Sequence, residues 1–574
     1  SGNMSDVCPV GALTSKPFRY AARTWELSRR KSVSPHDSTG ANLVVQVKGN
    51  QVLRVVPLEN EDVNECWIAD RDRFSYEALN STLRLTQPRV KQGGQWQTVD
   101  WNTALNYVAD GLKRIKAEHG VAGIGAIGSA YRSVEELHLL AKLVRGLGSE
   151  SVDHRVRHAD FANAAPQGQA QWLGRSIASL STLDRAFVIG SFLRKDHPLF
   201  AQRLRQAVRK GGTLLSLNAA HDDWAIPVAA RISAAPSGWV QALADVAGHV
   251  AAAKGLAAPA AARADADAER IAQALLSGER KAVLLGSAAA QHPQASMLLT
   301  LAAWIAEHTG ATVGYLTAAG NGVGAQLVNA LPGAGGLNAG QMLSQPMKAL
   351  LLLDVEPTLD GANAVAAKAA LAGSGLVVAL TSFQDAAVDN ADVLLPIAPF
   401  TESAGSYVNA EGRLQTFQGV VKPAGDARPA WKVLRVLGNL LGLSGFDQET
   451  VDDVRAEALG MAAVDPVALV ARLNNASLAA PVVTAPNPGL ERVSDVPIYS
   501  TDAVVRRAAS LQRTADARPP VLGVPSALWQ QLRLQAGDKV CVMQGTATVV
   551  LPAREDAALA NGCVRVPAGH PDTA

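Results

Sequence analysis

The chain has 574 residues, 48% of them hydrophobic and 18% charged, with a formal net charge of +2. Length alone suggests about four domains, the apolar fraction supports large cores rather than disorder, and the near-neutral balance argues against nucleic-acid binding, which needs a basic domain or stripe. No stretch approaches the ~18 consecutive apolar residues that cross a bilayer, so no direct membrane insertion is expected. Four cysteines, Cys8, Cys66, Cys541 and Cys563, are too few for a disulfide framework, and no signal-peptide pattern opens the chain; both point to a reducing compartment. The abrupt opening Ser1-Gly2-Asn3 and the β-rich end after Gly569-His570-Pro571 read as those of a piece of a longer protein.

Residues 1–32 are turn-rich and end in the basic run Arg29-Arg30-Lys31. Two β-rich runs follow at 43–47 and 51–56, with Gly49-Asn50 between them as a hairpin turn. Helices are predicted at 104–118, 133–145 and 198–209, and strands at 123–127, 186–189, 213–217, 282–285, 349–353 and 376–380. Apolar strands joined by helical crossovers imply parallel sheets covered on both faces. The alanine-rich stretch 251–268 reads as an exposed helix or a spacer. Prolines 481, 486, 488, 497, 519 and 520 mark 474–520 as an extended linker, and 521–567 reads as a barrel-like β module.

Cys8-Pro9-Val10-Gly11-Ala12-Leu13 is the sharpest chemical signal. In ferredoxin-type runs the last cysteine precedes proline and can ligate a different cluster from its neighbours. On the motif alone, a cluster ligand and an isolated cysteine in a turn are equally good readings. The wider stretch Asp6 to Phe18 resembles the signature of the large iron–sulfur subunit of NADH:quinone oxidoreductase, respiratory complex I. The resemblance continues at Ala22-Arg23-Thr24-Trp25-Glu26-Leu27, at Asn64-Glu65-Cys66-Trp67-Ile68-Ala69-Asp70, at Ala391-Asp392-Val393-Leu394-Leu395-Pro396 and from Thr401 to Arg413. It implies that Cys8 is the last ligand of a [4Fe-4S] cluster whose other cysteines lie upstream, that no cluster is held by this chain alone, and that the large domain has the molybdopterin oxidoreductase fold.

Active members of that superfamily carry features that this sequence lacks. The stretch Val33-Ser34-Pro35-His36-Asp37-Ser38-Thr39-Gly40 has no cysteine where a further cluster motif is expected, and Cys66 alone cannot hold a cluster, so Cys66 reads as structural. At the metal-ligand position stands Asp153-His154-Arg155-Val156-Arg157-His158; arginines only donate, and on a helix His154 and His158 would share one face but lack a third zinc ligand. A buried polar network is the expected use. Phe192-Leu193 and Asn218-Ala219-Ala220 stand where strand ends would contact a pterin dinucleotide, and Gly320-Asn321-Gly322-Val323-Gly324 lacks the spacing of a dinucleotide fingerprint. Glu402, Asn409, Glu411 and Arg413 are expected to fix the loop after the strand near Val393.

The expected fold is therefore α/β: a molybdopterin-oxidoreductase-like scaffold with doubly wound parallel sheets, a small β-rich domain and a C-terminal β-barrel-like module. Its divisions are 1–32, the end of a ferredoxin-like iron–sulfur domain; 33–88, the small β-rich domain; 89–475, the α/β core; 476–520, a linker; and 521–574, the start of the β module. The resemblance implies a peripheral-arm subunit carrying electrons from NADH toward quinone. Its partners would be other arm subunits, including the flavin-carrying one, on the cytoplasmic side of a bacterial inner membrane. Neither catalytic residue, molybdenum nor pterin is expected here. The alternatives are an active molybdenum or tungsten oxidoreductase such as a formate dehydrogenase, and a plain nucleotide-binding dehydrogenase.

Overall fold

The run Ala349–Leu353 is buried along its whole length, and a strand without an exposed face needs helices on both sides. It lies in the middle of a seven-stranded sheet, ordered Gln95–Thr98, Arg89–Gln92, Val393–Pro396, Val377–Thr381, Ala349–Leu353, Ile124–Gly128, Val152–Asp153. The last five strands run parallel, and the first two form an antiparallel edge. Helices Trp101–His119, Val134–Leu147 and Ala430–Leu440 cover one face. The short helix Ala339–Met342 and the helix Ala364–Gly373 cover the other. The computed structural model describes residues 2–573 apart from 163, 386, 387, 462, 464, 478 and 479.

A second sheet has five parallel strands, ordered Ala230–Ser233, Thr213–Asn218, Arg185–Ile189, Lys281–Leu285, Thr312–Tyr315. It is wrapped by Trp239–Lys254, Ala266–Leu276 and Ala295–Thr309 on one face and by Pro198–Arg209 on the other. Local signals set these boundaries. Asp100 accepts from the Thr103 amide at 3.0 Å and starts the first long helix, while Ser133 and Glu136 form a capping box on the second. The alanine-rich stretch divides: the helix runs to Lys254 and stops at Gly255 in the left-handed region (φ 66°), and Asp265 caps the next one.

The small domain is a three-stranded antiparallel sheet, Ser28–Val33, Asn42–Lys48 and Gln51–Pro57. Positive φ at Gly49 (57°) and Asn50 (62°) makes its hairpin turn a type I′ turn. The first strand contains the basic run, whose side chains are exposed on a sheet edge, so its pattern carried no alternation to read.

The proline-rich stretch differs from the extended linker expected of it. Glu491–Val493 is a strand of the C-terminal sheet, paired in parallel with Cys563–Arg565. Tyr499, Ala503, Val505, Ala508 and Leu511 pack into the core of the small domain. Arg506 and Arg507 reach the large domain, both pairing with Glu356 (2.7 and 2.6 Å). The prolines shape a strap that joins three cores. The C-terminal sheet itself is mixed, ordered Glu491–Val493, Cys563–Arg565, Leu522–Val524, Ala547–Glu555, Lys539–Gln544.

Candidate functional site

The helical turn Met4–Val7 ends at Cys8, and the chain then turns back on itself, with Gly11 in the left-handed region (φ 66°). Proline at position 9 contributes no N–H, and the backbone of the turn it opens, Leu13 foremost with Val10, Ala12 and Gly11, lies close enough to the Cys8 thiol to hold it below the ordinary value. Backbone amides near a sulfur favour thiolate, the form that ligates metal. The turn is fastened to the small domain: the Gly2 amide donates to Asp70 (2.7 Å), Asn3 Nδ2 donates to the Ile68 carbonyl (2.8 Å), and Asp6 pairs with Arg73 (2.6 Å). Cys66 is exposed, and partial desolvation together with Glu65, Glu59 and Glu61 pushes its thiol up. Among the described residues no group of three or more His, Cys, Asp or Glu side chains is arranged to hold a metal ion.

Where the sequence has no thiols, between Ser34 and Thr39, a buried polar network fills the space. Ser34 Oγ donates to Asp72 (2.5 Å), Thr39 donates to Asp37 through its amide (2.9 Å) and hydroxyl (2.6 Å), and Arg71 lies 3.6 Å from Asp37. Burial pushes Asp72 up to about 6. Burial alone would lower His36, but the charge of Asp502 and its hydrogen bond at 2.9 Å more than offset that and raise it.

Residues 154–158 follow the strand Val152–Asp153 in irregular backbone, not a helix, so the two imidazoles are not stacked on one helical face. His154 Nδ1 meets the Ala330 carbonyl (2.8 Å), Arg155 pairs with Asp153 (2.9 Å), and Arg157 donates to the Leu359 carbonyl (2.6 Å). Burial drives His158 down to about 3, leaving a neutral imidazole. These residues line a cavity of about 210 Å³ between the two parallel sheets, at the carboxyl ends of their strands, where open α/β sheets place ligands.

A pterin dinucleotide would need unoccupied amides at those strand ends. After the strand Arg185–Ile189, the Ser191 amide donates to Asn218 Oδ1 (2.9 Å) and Asn218 Nδ2 donates back to the Ser191 carbonyl (3.0 Å). The Phe192 amide donates to Asp196 (2.9 Å), so this strand-end amide is already taken by a side chain. A Cβ on Gly286 would lie 2.4 Å from that of Ser191, so two neighbouring strand-end loops touch. In the glycine-rich stretch, Asn321 is wholly buried and ties the Arg132 carbonyl (2.8 Å) to the Val408 amide (2.9 Å). No cysteine lines the cavity. These residues do not fit a pterin dinucleotide or a thiolate-held molybdenum. Asp196 and Asp502 escaped the sequence reading, because nothing local marks an acid as the partner of a distant amide or imidazole.

The four loop residues near Val393 make structural contacts. Glu402 takes both guanidinium nitrogens of Arg84 (2.7 and 2.9 Å), Asn409 donates to the Thr39 carbonyl (3.0 Å), and Glu411 accepts from the Ile177 amide (2.8 Å) and Arg413 (2.7 Å).

Known proteins resemble the chain in both sequence and fold. The molybdopterin oxidoreductase family model matches residues 84–440, and the model of the NADH-ubiquinone oxidoreductase NDSU1/NuoG-like 4Fe-4S domain matches residues 27–77. The chain belongs to the molybdopterin oxidoreductase family. It is 29% identical to the NADH-quinone oxidoreductase G subunit of Rickettsia felis, over 79% of this chain and 62% of that protein. It is also 29% identical to the mitochondrial NADH-ubiquinone oxidoreductase 78 kDa subunit of Candida albicans (77% and 56%) and 25% identical to the 75 kDa subunit of Reclinomonas americana (80% and 64%). The matched region thus spans about three fifths of the length of these curated relatives. Acetylene hydratase from Pelobacter acetylenicus shares the fold, with a TM-score of 0.70 over 94% of this chain and 93% of that one at 15% identity.

Proposed function

We propose that the chain works as part of the large iron–sulfur subunit in the peripheral arm of an NADH:quinone oxidoreductase, and that Cys8 is one thiolate ligand of a [4Fe-4S] cluster whose other cysteines lie outside this sequence. The observation that carries the reading is the Cys8-Pro9 turn itself, pinned by the Gly2–Asp70, Asn3–Ile68 and Asp6–Arg73 contacts to the small domain, whose residues 27–77 match the NDSU1/NuoG-like 4Fe-4S domain. Such a cluster, when bound, passes single electrons, and hydrogen bonds to its sulfurs tune its potential. The chain's own contribution is to aim and solvate that sulfur, with the Asp6–Arg73 pair holding the turn against the small domain.

In this reading residues 1–32 end a ferredoxin-like domain, 33–88 form a cluster-free small domain, and 89–475 serve as a scaffold that takes no molybdenum or pterin. The Asn218–Ser191 and Asp196–Phe192 contacts support the last point. They weigh against an active molybdenum or tungsten oxidoreductase, to which the fold alone would point. Partners would be the other subunits of such a complex, as the names of the relatives support, and we propose the flavin-carrying subunit among them and a place on the cytoplasmic side of a bacterial inner membrane.

The test is low-temperature paramagnetic resonance of the protein in its longest natural form. Cys8→Ala is expected to remove one tetranuclear signal, with NADH:quinone electron transfer falling sharply, and Cys66→Ala to leave every signal in place. An unchanged spectrum for Cys8→Ala would overturn the assignment.

A further inference from the structure

The cavity at the strand ends has a polar centre of its own. Its acids face basic groups or amides, although Asp354 Oδ1 is buried without a hydrogen-bond partner. Asp354 lies 3.6 Å from Arg132, Asp360 pairs with Arg506 (2.8 Å), Asp502 with His36 (2.9 Å), and Asp160 accepts from the Ser296 amide (2.8 Å). Of its arginines, Arg132 is held by Glu136 (2.7 Å) and Arg155 by Asp153 (2.9 Å). Arg157 differs. Its one hydrogen bond goes to the Leu359 carbonyl, and among the described residues no carboxylate lies within 4.0 Å of it. A half-buried guanidinium with a single neutral partner leaves most of its donors to a ligand.

Tyr131 lines the same cavity, and its hydroxyl makes no hydrogen bond to any described residue. Burial keeps it protonated, and hence a donor. Around these groups the wall is largely apolar, with Val156, Leu331, Phe400 and Val504 among its side chains. The volume, about 210 Å³, lies below the roughly 300–1,000 Å³ typical of drug-sized ligands. It suits a compact molecule with one charged end.

We propose that this cavity binds a small amphiphilic anion, a carboxylate or monophosphate on an apolar body, with its oxyanion on the Arg157 guanidinium and the Tyr131 hydroxyl. Both donors line the one cavity and each acts electrostatically on the other, which suits an acceptor-only head group, and the alanine- and valine-rich wall takes the rest. The site does not depend on Cys8 or on any cluster, so its test is independent of the electron-transfer reading.

Benzoate, phenyl phosphate and the neutral isostere benzamide are titrated into the chain, with binding read by saturation-transfer NMR and calorimetry. At least one anion should bind, with benzamide about tenfold or more weaker, because a hydrogen bond to a charged group contributes about that factor. Arg157→Gln should weaken the anion by about 10- to 100-fold. If Arg157→Gln does not fold, Tyr131→Phe, which removes one hydroxyl, decides the question with an expected loss of about threefold or more. Binding by phenyl phosphate alone assigns a phosphate ligand, and by benzoate alone a carboxylate. Absence of binding by both anions, binding of benzamide as tight as that of the anions, or affinities unchanged in both variants would overturn the proposal.

Discussion

His36 Nδ1 and Asp502 Oδ2 stand 2.9 Å apart, both side chains buried, although 466 residues separate them in the chain. The pair joins the loop of the small domain to the proline-rich strap, and Asp502 Oδ1 also accepts the amides of Val504 (2.9 Å) and Val505 (3.0 Å). One carboxylate therefore both caps the strap and docks it.

Removing that carboxylate leaves a buried imidazole without its counter-charge. Asp502→Ala is expected to destabilise the chain by about 3 kcal/mol, read as a shift in denaturant midpoint. His36 is raised and Asp502 lowered in the fold. A raised histidine stabilises fully below its unfolded value near 6.5 and loses that contribution as pH rises through its folded value; a lowered carboxyl stabilises above its unfolded value near 3.9 and loses it on acidification. The deficit of Asp502→Ala against wild type should be largest between about pH 4 and 6.5 and shrink as pH rises beyond the folded value of His36. A deficit that grew steadily toward pH 9 would exclude the pair.

Asp196 gives the opposite sign. Burial pushes it up to about 7, against the hydrogen bond from the Phe192 amide, which lowers it. The folded state then holds a proton that the unfolded state has released, so stability falls as pH rises from about 4 to about 7. Asp196→Asn keeps the acceptor for Phe192 and removes the charge. Its gain over wild type should be about 2–3 kcal/mol larger at pH 8 than at pH 5, measured by thermal unfolding at both values.

The bidentate Arg84–Glu402 pair is buried on both sides (4% and 5% side-chain exposure). Glu402→Ala strands a guanidinium and should cost about 3–5 kcal/mol. Arg84→Met with Glu402→Leu, which removes both charges at similar volume, should restore most of that loss. Denaturant unfolding of the single and double variants gives the comparison directly.

Those elements whose physics is local could be read from the sequence. Ala349–Leu353 was legible because a strand buried on both faces is a continuous apolar run, and Pro198–Arg209 because proline at the first turn and Gly211-Gly212 beyond its end bracket it. Gly49-Asn50 announced its turn by demanding two positive φ values. The strand Ser28–Val33 did not show, since its exposed edge carries Arg29, Arg30 and Lys31 in succession. The strap failed for another reason: proline count measures local stiffness and says nothing of Val505 or Leu511 docking in a distant core. The cysteine motif at Cys8 was visible as a pattern, but the fastening of its turn to Asp70, Ile68 and Arg73 is a property of the fold. The filled strand ends lay between these cases. The sequence displayed Phe192 and Asn218, while Asp196 acquires its role only when the loop brings it to the Phe192 amide.

In the proposed role the molybdopterin-type fold serves as scaffold, with the Ser191 and Phe192 amides taken by Asn218 and Asp196. The most direct measurement is the molybdenum, tungsten, iron and pterin content of the protein purified in its longest natural form, by elemental analysis and by pterin fluorescence after oxidation. The predicted result is iron together with molybdenum, tungsten and pterin at background. Molybdenum or tungsten with pterin in near-stoichiometric amount would contradict it.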